Sequence, residues 1–291
     1  MTAPFRCSVA SADTGEPLAG SAPADPVWLF VEDSGPWGRK ALAESRLPDD
    51  VRRRLLDLAG VRVQLLRRYG GGERPGTTVI AATAGPEGFG IEAARLENPR
   101  DLLDLDLGGL AHGRGAGLPA HDAPLWLVCT NGRRDVCCAE QGRTVAAALA
   151  QRWPEETWET THLGGHRFAA TLLALPSGHT LGRLGAESAT DACAAIERGE
   201  VPLDHSRGRA GTRPEAQVAE LHLRRRLGVA QESAVQVTAV DEGVVTLRGR
   251  DGVWRVEVRT VPGPAVRQSC ASEELKRSPR VEVVDVAQGP A

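Results

Sequence analysis

Two hexapeptides of this 291-residue chain share one pattern: "PVWLFV" at residues 26–31 and "PLWLVC" at residues 124–129. Each begins with proline, carries tryptophan at its third position and is otherwise apolar. A short continuous apolar run of this kind is typical of a strand that is buried on both faces of a sheet. Since the two hexapeptides begin 98 residues apart, we expect one compact unit around each of them.

Similar patterns follow the two hexapeptides. After the first, one helix and three strands are predicted at residues 49–60, 61–70, 77–83 and 89–97. After the second, a helix, a strand, a hairpin and a further helix are predicted at residues 138–153, 157–163, 167–184 and 188–199, the last with Ser188 as its N-cap. This order is that of a thioredoxin-like fold, in which helices flank a small central sheet. We therefore predict an α/β protein with two tandem thioredoxin-like units, at residues 1–110 and 120–205.

The composition changes in the last third of the chain. Residues 206–214, "SRGRAGTRP", are typical of a linker, and a helix is predicted at residues 214–228, where a proline begins the segment and a glycine ends it. Strands with period-two alternation are predicted next, at residues 234–240, 244–249 and 253–261. These patterns predict a small α+β region over residues 212–291, in which no chemical motif is evident.

The composition narrows the class of protein. Hydrophobic residues make up 41% and charged residues 25%, which is ordinary for a globular chain that needs no disulfide framework. The formal net charge of −3 argues against a nucleic-acid or membrane partner recruited by bulk electrostatics. No stretch has the length of a membrane-spanning helix, and the N-terminus lacks the layout of a secretory signal, so a cytoplasmic protein is predicted. In that compartment the six cysteines are expected to be thiols or metal ligands.

The residues suited to metal chemistry lie in two stretches of the second unit, "CTNGRRDVCC" at residues 129–138 and "HLGGH" at residues 162–166. Cys129 ends a predicted strand, while Cys137 and Cys138 open a predicted helix. The two histidines follow the next predicted strand. Because ligands of open α/β sheets bind outside the carboxyl ends of the strands, we expect these side chains to converge at that end of the sheet.

The second stretch places His162 and His166 on either side of a glycine pair. Glycines there let the backbone approach a bound group closely. Together with two of the upstream cysteines, the histidines form a Cys2His2 donor set. Successive side chains of a helix diverge, so one of the vicinal pair Cys137 and Cys138 is predicted to be a ligand and the other a core residue.

The remaining cysteines receive other roles. Cys193 fits the apolar face of its helix and is predicted to be a core residue. Cys7 and Cys270 lie in loop-like sequence and are predicted to be ordinary thiols, with Cys270 also a candidate to approach the site from the C-terminal region. A thiol oxidoreductase that uses the vicinal pair Cys137-Cys138 is disfavoured, because no C-x-x-C motif occurs and adjacent cysteines form a strained disulfide.

Three metals compete for the Cys2His2 set. Zinc accepts it, and H-x3-H is a common zinc spacing. A blue-copper site would need an axial methionine, and Met1 is the only methionine of the chain. A 2Fe-2S cluster with two thiolates on one iron and two imidazoles on the other also suits these donors. The residues alone leave zinc and the cluster as alternatives.

The same residues carry a resemblance to a known family. With "CTNGRRDVCC", "HLGGH" and, in the first half, "GPWG" at residues 35–38, the chain resembles the sucrase/ferredoxin-like family over roughly residues 5–200. The resemblance implies a thioredoxin-like 2Fe-2S ferredoxin with two cysteine and two histidine ligands, which fall on Cys129, Cys138, His162 and His166, with Cys137 as the substitute for Cys138. In the repeat, Val31 corresponds to Cys129, so the first unit is expected to carry no cluster.

The resulting functional hypothesis is electron transfer by a 2Fe-2S protein. Neutral imidazoles in place of thiolates raise the reduction potential, and an imidazole on iron can lose its outer ring proton, so electron transfer coupled to proton uptake is a further hypothesis. Arg133, Arg134 and Arg167 are candidates to stabilise the reduced cluster or to dock an acidic redox partner. The alternative function is a structural zinc protein that acts as an interaction scaffold. Sucrase activity is not supported, because no carboxylate pair flanked by aromatic residues is evident.

Overall fold

The computed structural model of the protein describes residues 4–71 and 75–289. Residues 1–3 of the first predicted unit, which include Met1, lie outside the described part. So do residues 290–291 of the predicted C-terminal region. Among the described residues, none of the helices has the length and apolar character needed to cross a lipid bilayer.

The structure is a mixed α/β fold built on one large sheet and one smaller sheet. A short helix precedes the sheets, α1 (Cys7–Asp13). The first half then contains β1 (Val27–Glu32), α2 (Asp49–Leu56), β2 (Arg62–Arg68), β3 (Thr77–Gly85), β4 (Gly88–Leu96), a 3-10 helix (Pro99–Asp104) and α3 (Leu107–Ala111). The second half contains β5 (Leu125–Cys129), α4 (Val136–Arg152), β6 (Thr157–Thr160), a 3-10 helix (His166–Phe168), β7 (Leu172–Leu175), β8 (His179–Leu181), α5 (Ala186–Glu197) and β9 (Ser206–Arg209).

The two halves have the same strand pairing and share one sheet. In the first, β1 is parallel to β2 and antiparallel to β3; in the second, β5 is parallel to β6 and antiparallel to β7. Antiparallel pairing of β2 with β6 joins the halves, which gives the nine-stranded order β4-β3-β1-β2-β6-β5-β7-β8-β9. The units therefore do not have separate small sheets, because the edge strand of each half supplies the pairing partner that the other needs.

The hexapeptides are buried on both faces, as predicted, but they are not in equivalent register. On β1, Trp28 and Phe30 belong to the core cluster that also contains Leu127 and Cys129. Trp126, by contrast, packs on the opposite face with the buried residues of α4. The helix of the first half, α2, packs on the other face of β1, with Leu29 and Val31, so Trp28 and Trp126 do not occupy equivalent positions. Val31 lies on the face that α2 covers and Cys129 on the opposite face, so Val31 is not the structural counterpart of Cys129.

Two local predictions differ from the structure. The segment predicted as a linker contains β9, which pairs with β8 and buries Ser206 and Arg207. The helix predicted to start after Ser188 begins at Ala186 with Gly185 as its N-cap, and the Ser188 hydroxyl accepts a hydrogen bond from the Gly185 backbone N–H. The polar segment forms β9 because β8 supplies its backbone hydrogen-bond partners, whereas the start of α5 is set by a local contact.

The C-terminal region is an α+β unit with its own core. It contains α6 (Pro214–Leu227), a 3-10 helix (Glu232–Ala234), β10 (Val235–Asp241), β11 (Val244–Gly249), β12 (Gly252–Arg267) and β13 (Leu275–Gln288). The four strands form an antiparallel sheet in chain order, and residues of α6 pack on it. The last strand was not predicted, since it is largely exposed and begins with charged residues. The turn between β12 and β13 lies against the second half of the large sheet.

Candidate metal centre

Cys129 lies at the carboxyl end of β5, close to α4. Its side chain is buried in the core of the large sheet. Gly142 of α4 faces the Cys129 carbonyl: a Cβ at that glycine would lie 2.1 Å from the Cys129 oxygen. The absence of a side chain at Gly142 therefore lets the helix reach the strand end that carries the cysteine.

The start of α4 separates the two vicinal cysteines. Asp135 is the N-cap, and its carboxylate accepts a hydrogen bond of 3.0 Å from the Cys137 backbone N–H. Successive helical side chains point about 100° apart. Cys138 consequently joins Cys129, whereas Cys137 turns towards the N-terminal helix α1.

Three of the four predicted ligands lie together. The Sγ atoms of Cys129 and Cys138 and a ring nitrogen of His162 all lie within 4.8 Å of one another. Both sulfurs are buried, and the His162 ring is partly so. A donor set of two thiols and an imidazole at this spacing suits zinc or an iron–sulfur cluster.

His166 lies beside this group and presents one free nitrogen. Its ring centroid is 5.0 Å from that of His162. Its Nε2 is hydrogen-bonded to the backbone carbonyl of Gln268, and a carbonyl can only accept, so Nε2 carries the proton. The Nδ1 atoms of both His162 and His166 are buried without a hydrogen-bond partner in the described part of the chain. We call Cys129, Cys138, His162 and His166 the cysteine–histidine group.

The protonation of these side chains favours metal binding. A hydrogen bond from Cys138, supported by contacts with His162, lowers the pKa of Cys129 well below the ordinary thiol range. The same hydrogen bond and burial raise the pKa of Cys138, so the pair shares its first negative charge. Burial and the neighbouring His162 lower the pKa of His166, which keeps that imidazole neutral at pH 7. Neutral imidazole and thiolate are the forms that bind metals.

A buried arginine supports the loop that carries the histidines. Arg207 is 1% exposed and donates hydrogen bonds to Ser21 Oγ and to the Gly164 carbonyl, each of 3.0 Å. Burial, together with Arg62 and Arg167, lowers its pKa to about 9, whereas the nearby Cys129 and Cys138 raise it. Among the described residues it has no carboxylate partner. A buried cation without an acid beside two thiols suits a centre that carries negative charge.

The three arginines that were predicted to stabilise the centre or to dock a partner differ in their exposure to solvent. Arg167 is largely buried and pairs with Glu16 at 2.8 Å, so it is not free to dock a partner. Arg133 and Arg134 are exposed on the turn between β5 and α4. A cavity of about 890 Å³ is lined by Pro124 and Trp126 at the opposite end of β5 and does not touch this group.

A second group of thiols, which the sequence did not predict, adjoins the first. Cys7, Cys137 and Cys270 bring their sulfurs to separations of 3.2, 3.5 and 3.8 Å, with the Asp135 carboxylate beside them. Cys270 approaches from the C-terminal region, but it joins Cys7 and Cys137 rather than the cysteine–histidine group, and Cys7 and Cys270 are not isolated loop thiols. No local pattern could reveal the group, because its members are more than a hundred residues apart. Cys193, as predicted, lies in the core.

The fold and these residues define a mixed α/β protein with buried groups of cysteines and histidines. Comparison with protein families identifies it further: the family model described as sucrase/ferredoxin-like matches residues 18–208, and the chain belongs to that family. The search of curated proteins returned no match, and none of the solved structures matched either.

Proposed function

We propose that this protein is a one-electron carrier that holds a 2Fe-2S cluster in its second half. The cluster would be bound by the two thiols and two imidazoles of the cysteine–histidine group. The observation that carries the proposal is the pair of buried Nδ1 atoms of His162 and His166, which have no hydrogen-bond partner among the described residues. A ring nitrogen of His162 lies within 4.8 Å of both buried thiols, and the His166 ring lies 5.0 Å from that of His162. A buried ring nitrogen without a hydrogen bond is costly unless it binds a metal.

The finer fold assignment belongs to the same proposal. Each half pairs a β-α-β unit of parallel strands with antiparallel strands on one side, which supports a thioredoxin-like origin for both. The corresponding strand of the first half, β1, contains no cysteine. We therefore place the cluster in the second half only.

Residues in and around the cysteine–histidine group would set the reduction potential of the centre. When bound, a 2Fe-2S cluster with two imidazole ligands supplies one-electron transfer at a higher potential than an all-thiolate cluster does. His166 holds a proton at Nε2 against the Gln268 carbonyl. Arg207 places a positive charge behind the Gly164 carbonyl and so favours additional negative charge at the site. Exposed Arg133 and Arg134 are suited to an acidic redox partner.

The composition of freshly isolated protein tests the proposal. Protein purified without oxygen should be red-brown and contain about two irons and two acid-labile sulfides per chain. The variant Cys138→Ser should lose both, while Cys193→Ser, which changes a buried core thiol far from the group, should retain them. A colourless protein with zinc in place of iron would replace the cluster by the structural zinc alternative.

A further inference from the structure

The three-thiol group, defined as Cys7, Cys137 and Cys270 with Asp135, has the geometry of a separate metal site. Its sulfurs form a closed triangle with edges of 3.2, 3.5 and 3.8 Å. Zinc bound tetrahedrally to thiolates at about 2.3 Å holds neighbouring sulfurs about 3.8 Å apart. The longest edge already has this length, and the shorter edges need only small side-chain rotations to reach it.

The fourth position of the tetrahedron is also present. Asp135 Oδ1 lies 3.6 Å from the Cys7 sulfur. A carboxylate oxygen and a thiolate on one tetrahedral zinc lie about 3.5 Å apart. The carboxylate is fixed by the backbone N–H groups of Cys137 and Cys270, at 3.0 and 2.8 Å. Its position is therefore set before any metal arrives.

The surroundings of the sulfurs suit thiolates. The Ser8 hydroxyl donates to the Cys137 sulfur at 3.3 Å, and the Cys7 backbone N–H donates to the Cys270 sulfur at 3.4 Å. Gln141 Nε2 donates to the Ser8 oxygen at 2.8 Å, which leaves the hydroxyl proton for the sulfur. Donors of this kind are the outer partners that orient metal ligands and tune them.

A disulfide explains less of this arrangement. It would join two of the three sulfurs and leave the third thiol and the buried carboxylate without a role. Only a bound cation uses all four side chains, of which Cys7, Asp135 and Cys137 are buried. Three thiolates and one carboxylate match zinc better than a hard cation, which prefers oxygen ligands.

We propose that the three-thiol group binds one zinc ion, separate from the centre formed by the cysteine–histidine group. The ion would fasten together three distant parts of the chain: α1, the start of α4 and the turn between β12 and β13. The same turn supplies the Gln268 carbonyl that accepts the proton of His166. The proposed zinc site would therefore hold this backbone contact in place, whatever metal the neighbouring centre contains.

Metal content of the full-length protein tests the proposal. Protein produced with added zinc should contain about one zinc per chain, and Cys7→Ser and Cys270→Ser should each lower the zinc content at least about tenfold while iron is unchanged. Cys129→Ser should lose iron and keep zinc. The matched control Cys193→Ser should keep both metals. Wild-type protein without zinc, or zinc that survives both Cys7→Ser and Cys270→Ser, would overturn the site.

X-ray absorption at the zinc edge of wild-type protein gives an answer that does not depend on the folding of any variant. The expected first shell is three sulfurs at about 2.3 Å and one oxygen at about 2.0 Å. Two sulfurs and two nitrogens would place zinc in the cysteine–histidine group and overturn both proposals. Iron missing from a protein whose zinc shows the three-sulfur shell would refute the cluster alone.

Discussion

At the scale of single residues, the two nitrogens of His166 are distinguished by one backbone contact. The Gln268 carbonyl accepts a hydrogen bond from Nε2, which leaves the Nδ1 lone pair directed into buried space. Asp135 Oδ2 lies 3.9 Å from the same Nε2 and adds negative charge beside the proton. Both neighbours stabilise the proton on Nε2, so loss of this proton should require alkaline pH.

Replacement of His166 by cysteine tests the role of this ring. We expect His166→Cys to keep a cluster whose midpoint potential is lower by on the order of 100 mV, because a thiolate adds negative charge where a neutral imidazole stood. The potential of the wild-type protein should fall as pH rises through the range in which Nε2 loses its proton. The dependence on pH should be weaker in the variant, which lacks this ring proton. Redox titrations at a series of pH values measure both effects.

His112→Cys is the matched control for this substitution. His112 is exposed at the end of α3, where its Nδ1 contacts the Gly108 carbonyl, far from the group in sequence. Its replacement should change neither the potential nor its dependence on pH. If His166→Cys and His112→Cys gave the same titration curves as the wild-type protein, His166 would not be a ligand.

At the scale of elements, the site depends on how closely α4 packs on β5. The helix brings Cys138 to the end of the strand only because Gly142, one turn further along, lies against the Cys129 carbonyl. The N-cap carboxylate of Asp135 fixes the first turn of the helix at the same time. A small shift of α4 along β5 would therefore separate the two sulfurs.

Substitution of Gly142 by alanine should show this dependence. The added Cβ would meet the Cys129 oxygen at 2.1 Å, so helix and strand must move apart. We expect Gly142→Ala to reduce the free energy of unfolding by about 1–3 kcal/mol and to lower iron content, although alanine is the better helix former. Urea denaturation and iron analysis measure the two effects.

Gly108→Ala is the control, because a Cβ at Gly108 meets nothing closer than an Asp106 carboxylate oxygen at 3.6 Å. This variant should be as stable as the wild-type protein or slightly more stable, with unchanged iron. Equal stability and iron content in Gly142→Ala would show that the helix can move without harm to the site.

Elements with strong local signals were predictable from the sequence, and those that depend on distant partners were not. The apolar run that ends at Cys129 and the Asp135 cap define a strand end and a helix start, so three of the predicted ligands lie as close together as expected. The strand at Ser206–Arg209 has no apolar alternation and exists because β8 pairs with it. The contact of Cys7 with Cys270 arises from chain folding over a separation of 263 residues.

At the scale of the whole molecule, the C-terminal region is attached to the large sheet at a second place besides the turn with Cys270. Glu232, just before β10, lies 2.7 Å from Arg209 of β9 and 3.3 Å from His179 of β8. Contacts with His179 and then with Arg209 lower the pKa of Glu232 to about 2. Burial lowers the pKa of His179, so neither group takes up a proton readily in the folded protein.

The lowered pKa of Glu232 predicts how acid changes the stability of the protein. The unfolded Glu232 carboxyl titrates at about pH 4.3, so the stability from its ionised form is complete above that pH and is lost as the pH falls towards about 2. Glu232→Gln should therefore be less stable than the wild-type protein at pH 7, by about 1–2 kcal/mol after allowance for solvent screening. Its stability should also fall less steeply between about pH 4.5 and pH 3.

Urea denaturation at a series of pH values distinguishes this pairing from a general effect of charge. Glu257→Gln removes an exposed carboxylate of β12, in the same C-terminal sheet, and should follow the wild-type curve at every pH. The two glutamine variants change the net charge equally, so only the contacts of Glu232 can separate their curves. If Glu232→Gln loses stability with acid as steeply as the wild-type protein does, the contacts of Glu232 with Arg209 and His179 do not hold the C-terminal region to the sheet.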